Sequence, residues 1–154
     1  MSRVEQSIEV DVPVAIAYNQ WTQFEEFPSF MEAVESVTQL DDTHLRWVAE
    51  IGGKTQEWKA EITEQHPDER VAWRSVDGKD NAGVVTFHRL EDQRCKIMVQ
   101  MDFEPEGLVE TVGSAIGADE RRVKGDLERF KEMIERRGTE TGAWRGEVDE
   151  PASR

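Results

Sequence analysis

Residues 123–137 read VKGDLERFKEMIERR, and this stretch decides the fold. Its apolar residues recur at helical spacing among charged ones: Val123, Leu127, Phe130 and Ile134. This pattern predicts a helix with one apolar stripe. We expect the helix over 106–137, because Pro105 suits its start and Gly138 suits its end. At about 1.5 Å per residue it is roughly 45 Å long, so it needs a broad apolar partner surface.

Alternating strands upstream can supply that surface. Residues 3–11 alternate between polar and apolar side chains, which predicts a half-buried strand. A meander of hairpin-linked strands follows, and its turns predict the registers. The Gly52-Gly53 turn pairs Trp47 with Trp58. The turns at 65–68, 77–81 and 91–93 predict three further pairs: Ile62 with Val71, Trp73 with Val85, and Phe87 with Ile97.

These registers agree on one apolar face of the meander. A slip of one residue would turn a whole strand over, so the agreement is informative. The opposite face is mostly charged, which predicts an antiparallel sheet whose apolar face is covered by the long helix. The predicted apolar face holds Leu45, Trp47, Ala49, Trp58, Ala60, Ile62, Val71, Trp73, Val85, Phe87, Cys95, Ile97, Val99, Met101 and Phe103.

Two short helical segments are predicted between the first strand and the meander. Asp11 precedes Pro13, which favours a helix entry. The residues Val14, Ala17, Tyr18 and Trp21 then share one helical face. A second helix or helical turn is expected over 24–31, where aromatic residues are interrupted by Pro28. The fold class is therefore α+β.

Composition limits the partners of the chain. A net charge of −14 disfavours nucleic acid and anionic membrane surfaces, which both attract clustered Lys and Arg. No apolar run approaches the roughly 20 residues of a membrane span, so stable membrane insertion is not expected. The N-terminus lacks the apolar centre of a signal peptide, which predicts a cytoplasmic location. A homodimer is left open.

The 154 residues favour one domain, which we place at residues 1–138. Residues 139–154 are polar and show no periodic pattern, so they predict a mobile C-terminal tail. Trp144 is the one candidate anchor of this tail.

The order of strand, two short helices, antiparallel meander and long terminal helix is the helix-grip order. Four stretches carry a resemblance to the START-like superfamily, in its polyketide cyclase/dehydrase and coenzyme-Q-binding branch: Trp21–Met31, Ala72–Ser75, Asn81–Phe87 and Asp126–Lys131. The resemblance implies a curved antiparallel sheet wrapped around the C-terminal helix. Members of the superfamily include lipid and quinone carriers, plant-type binders of hydrophobic ligands, and aromatase/cyclases, so the fold alone does not choose an activity.

A helix-grip domain can leave a cavity between its sheet and its helix, and Trp47, Trp58 and Trp73 would line the sheet wall. Three indoles on adjacent strands offer flat surface to a polycyclic or isoprenoid ligand, although they could equally fill the core. Gln56 and Ser75 are polar residues of the same face and could orient a ligand or bond each other.

Other predicted contacts lie on the helices and in the sheet. Val112 and Ile116 flank the glycines of the long helix and could form a mobile wall, with core packing as the alternative. Tyr18 could supply a hydroxyl. The predicted ligand-binding residues are Trp47, Trp58, Trp73, Gln56, Ser75, Phe87, Val99, Met101, Val112, Ile116 and Tyr18.

No catalytic motif is found, and the three histidines are too scattered for a zinc site. Cys95 alternates as a small core residue rather than a nucleophile. No Asp, Glu or His falls on the predicted inner face, which disfavours acid–base catalysis. Catalytic residues therefore stay unassigned, and neither a metal nor a cofactor is expected.

We expect a protein that binds or transfers a hydrophobic small molecule such as a polyketide, quinone or lipid. The resemblance leaves a polyketide aromatase/cyclase or dehydrase as the alternative. A third hypothesis is a protein-interaction module that uses Trp144 and the acidic surface of the long helix.

Overall fold

A computed structural model of the chain describes residues 2–51, 53–77, 81–103 and 112–148. In chain order the elements are β1 (Ser2–Val10), α1 (Val14–Trp21), a 3₁₀ helix (Phe24–Ser29), β2 (Val34–Gln39), β3 (His44–Ile51), β4 (Lys54–His66), β5 (Arg70–Ser75), β6 (Asn81–Glu91), β7 (Arg94–Phe103) and α2 (Val112–Arg137). The strands form one antiparallel sheet in the order β1-β7-β6-β5-β4-β3-β2. The sheet curls around the C-terminal helix in the helix-grip arrangement, as predicted.

The long helix ends where the sequence predicts. The amide N–H of Gly138 donates to the Ile134 carbonyl at 2.8 Å, and Gly138 has a φ of +76°, a left-handed conformation that suits glycine. Leu127, Phe130 and Ile134 are buried, which confirms the apolar stripe. The helix was expected from residue 106, but residues 104–111 lie outside the described part of the chain.

Aromatic side chains join α2 to the two short helices. The ring of Phe130 lies 5.1 Å from the rings of both Trp21 and Phe30. Phe27 packs against Phe30 at 5.6 Å, and all four rings are buried. The helical turn expected around Pro28 is confirmed as the 3₁₀ helix, whose buried rings form one side of the core.

The helix entry at α1 differs from the predicted cap. Pro13 occupies the N-cap position, and its carbonyl accepts the amides of Ile16 and Ala17 at 3.0 and 3.2 Å. No side chain caps this helix, so Asp11 does not have the expected role. Its backbone N–H instead donates to the Glu135 carboxylate at 2.7 Å, which ties the end of β1 to α2.

Two of the predicted registers are confirmed. Trp47 lies opposite Trp58, and Phe87 lies opposite Ile97. The apolar face itself is also confirmed, since its described residues are buried or half-buried along β3–β7. Turn chemistry was sufficient at the first hairpin, because a short loop limits the pairing of the strands that it joins. The predicted three-residue turn at 91–93 is wrong, since Glu91 belongs to β6 and pairs with Arg94, and the irregularity between Arg89 and Glu91 restores the predicted register.

The registers on both sides of β5 were predicted wrongly, each by two residues. Ile62 pairs with Trp73 rather than Val71, because β4 is irregular between Ile62 and Glu64 and the turn closes with His66 opposite Arg70. Asp68 in this turn has a φ of +64°. A shift of two residues keeps every side chain on its face, which is why the predicted face survives the error.

Trp73 pairs with Gly83 rather than with Val85. A Cβ atom at Gly83 would lie 2.6 Å from Cζ2 of the Trp73 indole and 2.9 Å from the Gln100 carbonyl oxygen. Only glycine leaves room for the indole at this point of the sheet. The strand β2 was not predicted, because its irregular pairing between Val34 and Ser36 interrupts the alternation that identifies a strand.

Residues 138–148 follow α2 and lie against α1 and the β4–β5 turn; we call them the strap. Val148 forms an isolated bridge with Gln65, with backbone N···O distances of 2.7 and 2.9 Å. The mobility predicted for 139–154 stays a prediction, and the structure adds these contacts for the described part of that segment.

Candidate functional site

The inner face of the sheet is sealed at one end and less covered at the other. At the end next to α1, Phe87 and Ile97 are buried, and the ring of Tyr18 contacts that of Phe87 at 5.3 Å. At the far end Trp73 and Met101 are only half-buried. A small molecule can therefore contact the inner face at the far end with less movement of side chains than at the end next to α1.

Two of the predicted indoles are stacked on each other. Trp47 and Trp58 lie opposite each other on β3 and β4, with ring centroids 6.0 Å apart and planes 4° from parallel. Trp47 also contacts Phe27 of the 3₁₀ helix at 5.6 Å. The Trp47 Nε1–H is buried and makes no hydrogen bond among the described residues. Both indoles of the stack are half-buried.

The third indole, Trp73, is placed by the glycine opposite it. Across the sheet its row continues from Ile62 through Trp73 and Gly83 to Met101. Met101 and Trp73 pack against the core while keeping part of their surface exposed. The missing side chain at Gly83 lets the indole lie along the sheet instead of standing away from it.

The predicted polar contacts differ in their surroundings. Ser75 accepts a hydrogen bond at its hydroxyl from the Asn81 backbone N–H at 3.0 Å, so it holds the start of β6. Gln56 is half-buried opposite Ala49 on the inner face. Ser75 therefore has a local structural partner, whereas the amide of Gln56 lies on the less covered half of the face.

The remaining predicted contacts divide between core and far end. Phe87 and Val99 belong to the buried core cluster, so they support the sheet from within. The side chains of Val112 and Ile116 lie outside the described part of the structure, although both residues are within α2. The structure thus places Trp47, Trp58, Gln56, Trp73 and Met101 on the same face of the sheet, and of these it stacks Trp47 on Trp58.

Tyr18 is fully buried, and its neighbour Gln65 was missed by the sequence analysis. The irregularity of β4 places Gln65 opposite Val71, on the inner face where simple alternation would have placed Glu64. Burial raises the pKa of the Tyr18 phenol, while the nearby Gln65 side chain and the Arg145 guanidinium lower it less strongly. The phenol is therefore neutral at physiological pH. Although Gln65 is close, the hydroxyl forms no hydrogen bond of acceptable geometry.

The strap explains a polar run on α1 that the sequence analysis did not use. Asn19, Gln20 and Thr22 are buried, and each binds the strap. The Asn19 amide donates to Glu140 at 2.8 Å, the Gln20 side-chain oxygen accepts the Thr141 N–H at 2.8 Å, and the Thr22 hydroxyl accepts the Trp144 N–H at 3.1 Å. Buried polar side chains in an otherwise apolar helix were the signal that could have revealed this contact.

Arg145 is the central side chain of the strap. It donates to Asn19 Oδ1 at 2.6 Å and to Asp68 Oδ2 at 2.9 Å. Its guanidinium also lies 5.6 Å from the centroid of the Tyr18 ring, within the range of a cation–π contact. The strap thus covers Tyr18 and the β4–β5 turn from the solvent side.

Groups suited to acid–base or nucleophilic chemistry, such as Cys95 and Asp126, are not among the half-buried residues of the far end. Burial raises the pKa of the Cys95 thiol to about 11, so the thiolate is scarce at neutral pH. Burial also raises the pKa of Asp126, against the opposing effects of the Glu32 backbone N–H and Arg129. Asp126 accepts that N–H at 3.1 Å and so fixes α2 to the loop before β2. Within the described residues, no three His, Cys, Asp or Glu side chains gather as a metal site.

Comparison with known proteins identifies relatives of the whole chain. A sequence profile of the family described as "Polyketide cyclase / dehydrase and lipid transport" matches residues 10–132. An uncharacterised 17.2 kDa protein from Streptomyces lincolnensis is 60% identical over 149 residues, which cover 96% of this chain and 99% of that protein. Among the described helices, none is long and apolar enough to cross a membrane.

Solved structures share the fold. A protein from Deinococcus radiodurans is 27% identical, with a TM-score of 0.70 over 87% of this chain and 98% of that one. The Zhui aromatase/cyclase from a Streptomyces species is 16% identical, with a TM-score of 0.78 over 93% of this chain and 99% of that one. The second likeness shows the fold alone.

Proposed function

The chain belongs to the polyketide cyclase/dehydrase and lipid transport family, and on this premise we propose that it binds an apolar small molecule on the far half of the inner sheet face, beneath α2. Polyketides, quinones and lipids are the ligand classes to test. The observation that carries the proposal is the set of half-buried indoles at Trp47, Trp58 and Trp73.

Physical chemistry favours an apolar, partly planar ligand at this face. Aromatic side chains that keep exposed surface lose water contact when a ring stacks on them, and stacked or edge-on ring pairs contribute about 0.5–1.5 kcal/mol beyond area burial. The Trp47–Trp58 stack on β3 and β4 presents an indole face, and Trp73 presents a second one on the neighbouring strand β5. A ligand of several fused rings or isoprenoid units can contact both.

Binding or transfer is favoured over catalysis by the chemistry of the inner face. Along the described strands, the Asp, Glu and His residues lie on the outer face or at strand ends. The strand pairing and the alternation of more and less buried residues along each strand give this placement. A cyclase that used a carboxylate or an imidazole as its acid or base would need that group at the ligand. The alternative of polyketide cyclisation therefore predicts a changed product spectrum when the protein is added to a reactive poly-β-ketone, whereas a carrier leaves that spectrum unchanged.

The binding proposal is tested with a neutral fluorescent probe, N-phenyl-1-naphthylamine. We expect saturable binding by the intact protein, about tenfold weakened by Trp58→Ala or Trp73→Ala through loss of a ring contact. Trp144→Ala is the matched control, because Trp144 lies on the strap and not on the inner face. Circular dichroism verifies that each variant is folded. Equal binding by all three variants, or no binding by the intact protein, would overturn the proposal.

A further inference from the structure

The irregularity in β4 changes which side chain enters the apolar interior. The row of inner-face residues formed by Val71, Val85 and Val99 is apolar, and Gln65 is the residue that continues it on β4. If the alternation continued regularly through Thr63, the Glu64 carboxylate would occupy that place instead. Bulges of this kind often redirect a side chain next to a functional site.

Two uncharged hydrogen-bonding groups, the Tyr18 hydroxyl and the Gln65 amide, lie close to each other there. Tyr18 and Gln65 are both 0% exposed. The Tyr18 hydroxyl and both polar atoms of the Gln65 amide are buried and make no hydrogen bond within the described structure. Buried polar groups normally have a partner, and each one without a partner calls for an explanation.

The strap closes this point from outside, so a ligand would reach it along the inner face. Val148 pairs with the backbone of Gln65, and Arg145 lies over the Tyr18 ring. On the inner face, Gln65 lies opposite Val71 of β5, and Trp73 is two residues or about 7 Å further along that strand. The polar atoms of Tyr18 and Gln65 touch no solvent, so a ligand can contact them only if neighbouring side chains shift. Trp73 in the adjacent row is half-buried and is therefore a candidate for that shift.

We propose that Tyr18 and Gln65 together bind the uncharged oxygen of an otherwise apolar ligand, a hydroxyl or carbonyl, whose rings lie on the indoles of the far end. This inference rests on the proposed function. A phenol can donate, and an amide can both donate and accept, so the pair suits either oxygen type. A carboxylate is excluded because Arg145 is already bound to Asp68 and Asn19, and a buried anion without a cation is strongly disfavoured.

The test compares three probes that share one apolar body: naphthalene, 2-naphthol and 2-naphthoate, measured at pH 7 by displacement of N-phenyl-1-naphthylamine. We expect the intact protein to bind 2-naphthol roughly tenfold more tightly than naphthalene, and 2-naphthoate most weakly. In Tyr18→Phe and Gln65→Leu, the preference for 2-naphthol over naphthalene should fall to near one while naphthalene affinity is kept. Gln100→Leu is the control, since its amide bonds Glu5 on the outer face.

The outcomes separate the two proposals. If naphthalene binds but 2-naphthol has no advantage, or if the advantage persists in both variants, the polar-site inference is overturned and the apolar site stands. Tightest binding of 2-naphthoate also overturns the inference, because it requires an available cation. Failure of all three probes to displace bound N-phenyl-1-naphthylamine overturns the polar site alone, whereas failure of N-phenyl-1-naphthylamine itself to bind overturns the proposed function and, with it, the polar site.

Discussion

Replacing Gly83 by alanine tests the close contact that positions Trp73. By backbone propensity alone, alanine in a strand should be more stable than glycine by about 0.5–1 kcal/mol. The structure predicts the opposite sign, because the new Cβ atom would lie 2.6 Å from the Trp73 indole and 2.9 Å from the Gln100 carbonyl oxygen. Both neighbours are restrained, since the indole packs against the core and the carbonyl belongs to the backbone of the neighbouring strand.

Insertion of one carbon into a tightly packed site typically costs about 1–3 kcal/mol, so we expect a net loss of about 1–2 kcal/mol for Gly83→Ala. Urea unfolding followed by circular dichroism measures the change. Gly125→Ala is the matched control: the nearest atom to its new Cβ is a guanidinium nitrogen of Arg129 at 3.3 Å, which needs only a small shift, and alanine in α2 should stabilise by up to about 1 kcal/mol.

A second substitution identifies the cause of the loss. In a Trp73→Leu background the indole contact is absent, so Gly83→Ala should cost clearly less, with the difference reporting the coupling between the two side chains. A neutral or stabilising effect of Gly83→Ala in the natural background would show that the site has room for a Cβ atom. An equal cost with and without the indole would show that Trp73 is not the cause.

Three further predictions concern buried and surface groups. Tyr18→Phe should raise the free energy of unfolding by about 1 kcal/mol, since it removes a buried hydroxyl without a partner; a loss of that size in urea unfolding would show that the hydroxyl is hydrogen-bonded. Burial raises the pKa of Cys95 to about 11. The protonated thiol therefore makes its full contribution to the free energy of unfolding below about pH 8.5, and this contribution is lost as the pH rises towards 11. Cys95→Ala should flatten that part of the stability profile, and an unchanged slope would contradict this. Arg145→Ala should speed amide hydrogen exchange at Val148 while costing at most about 1 kcal/mol in global unfolding, because its ion pair with Asp68 is partly exposed. Protection of Val148 equal to that in the unmodified protein would refute the role of Arg145.

Local sequence patterns were sufficient where short turns and strict alternation controlled the structure. The Gly52-Gly53 turn led correctly to the Trp47–Trp58 pair, and the apolar stripe of α2 led to its buried face. Both features depend on residues that are neighbours in the chain or repeat at a regular period, so they can be read without knowledge of the tertiary structure.

The errors have a common physical origin in contacts that local patterns do not encode. The extra residue in β4 is stabilised by pairing with β5, and alternation alone gave no sign that Gln65 would replace Glu64 on the inner face. The strap depends on contacts such as Arg145 with Asn19, 126 residues apart. Polar residues in α1 were visible in the sequence, but their partners were not.

An apolar ligand that lies on the indoles at the far end of the sheet would change the indole N–H signals of those tryptophans in an ¹H–¹⁵N spectrum. On titration with N-phenyl-1-naphthylamine, the signals of Trp58 and Trp73 should shift, whereas those of Trp21 and Trp144 should stay in place. Single substitutions assign the signals. Shifts confined to Trp144, or no shift at a saturating concentration of the probe, would show that the ligand does not bind at Trp58 and Trp73.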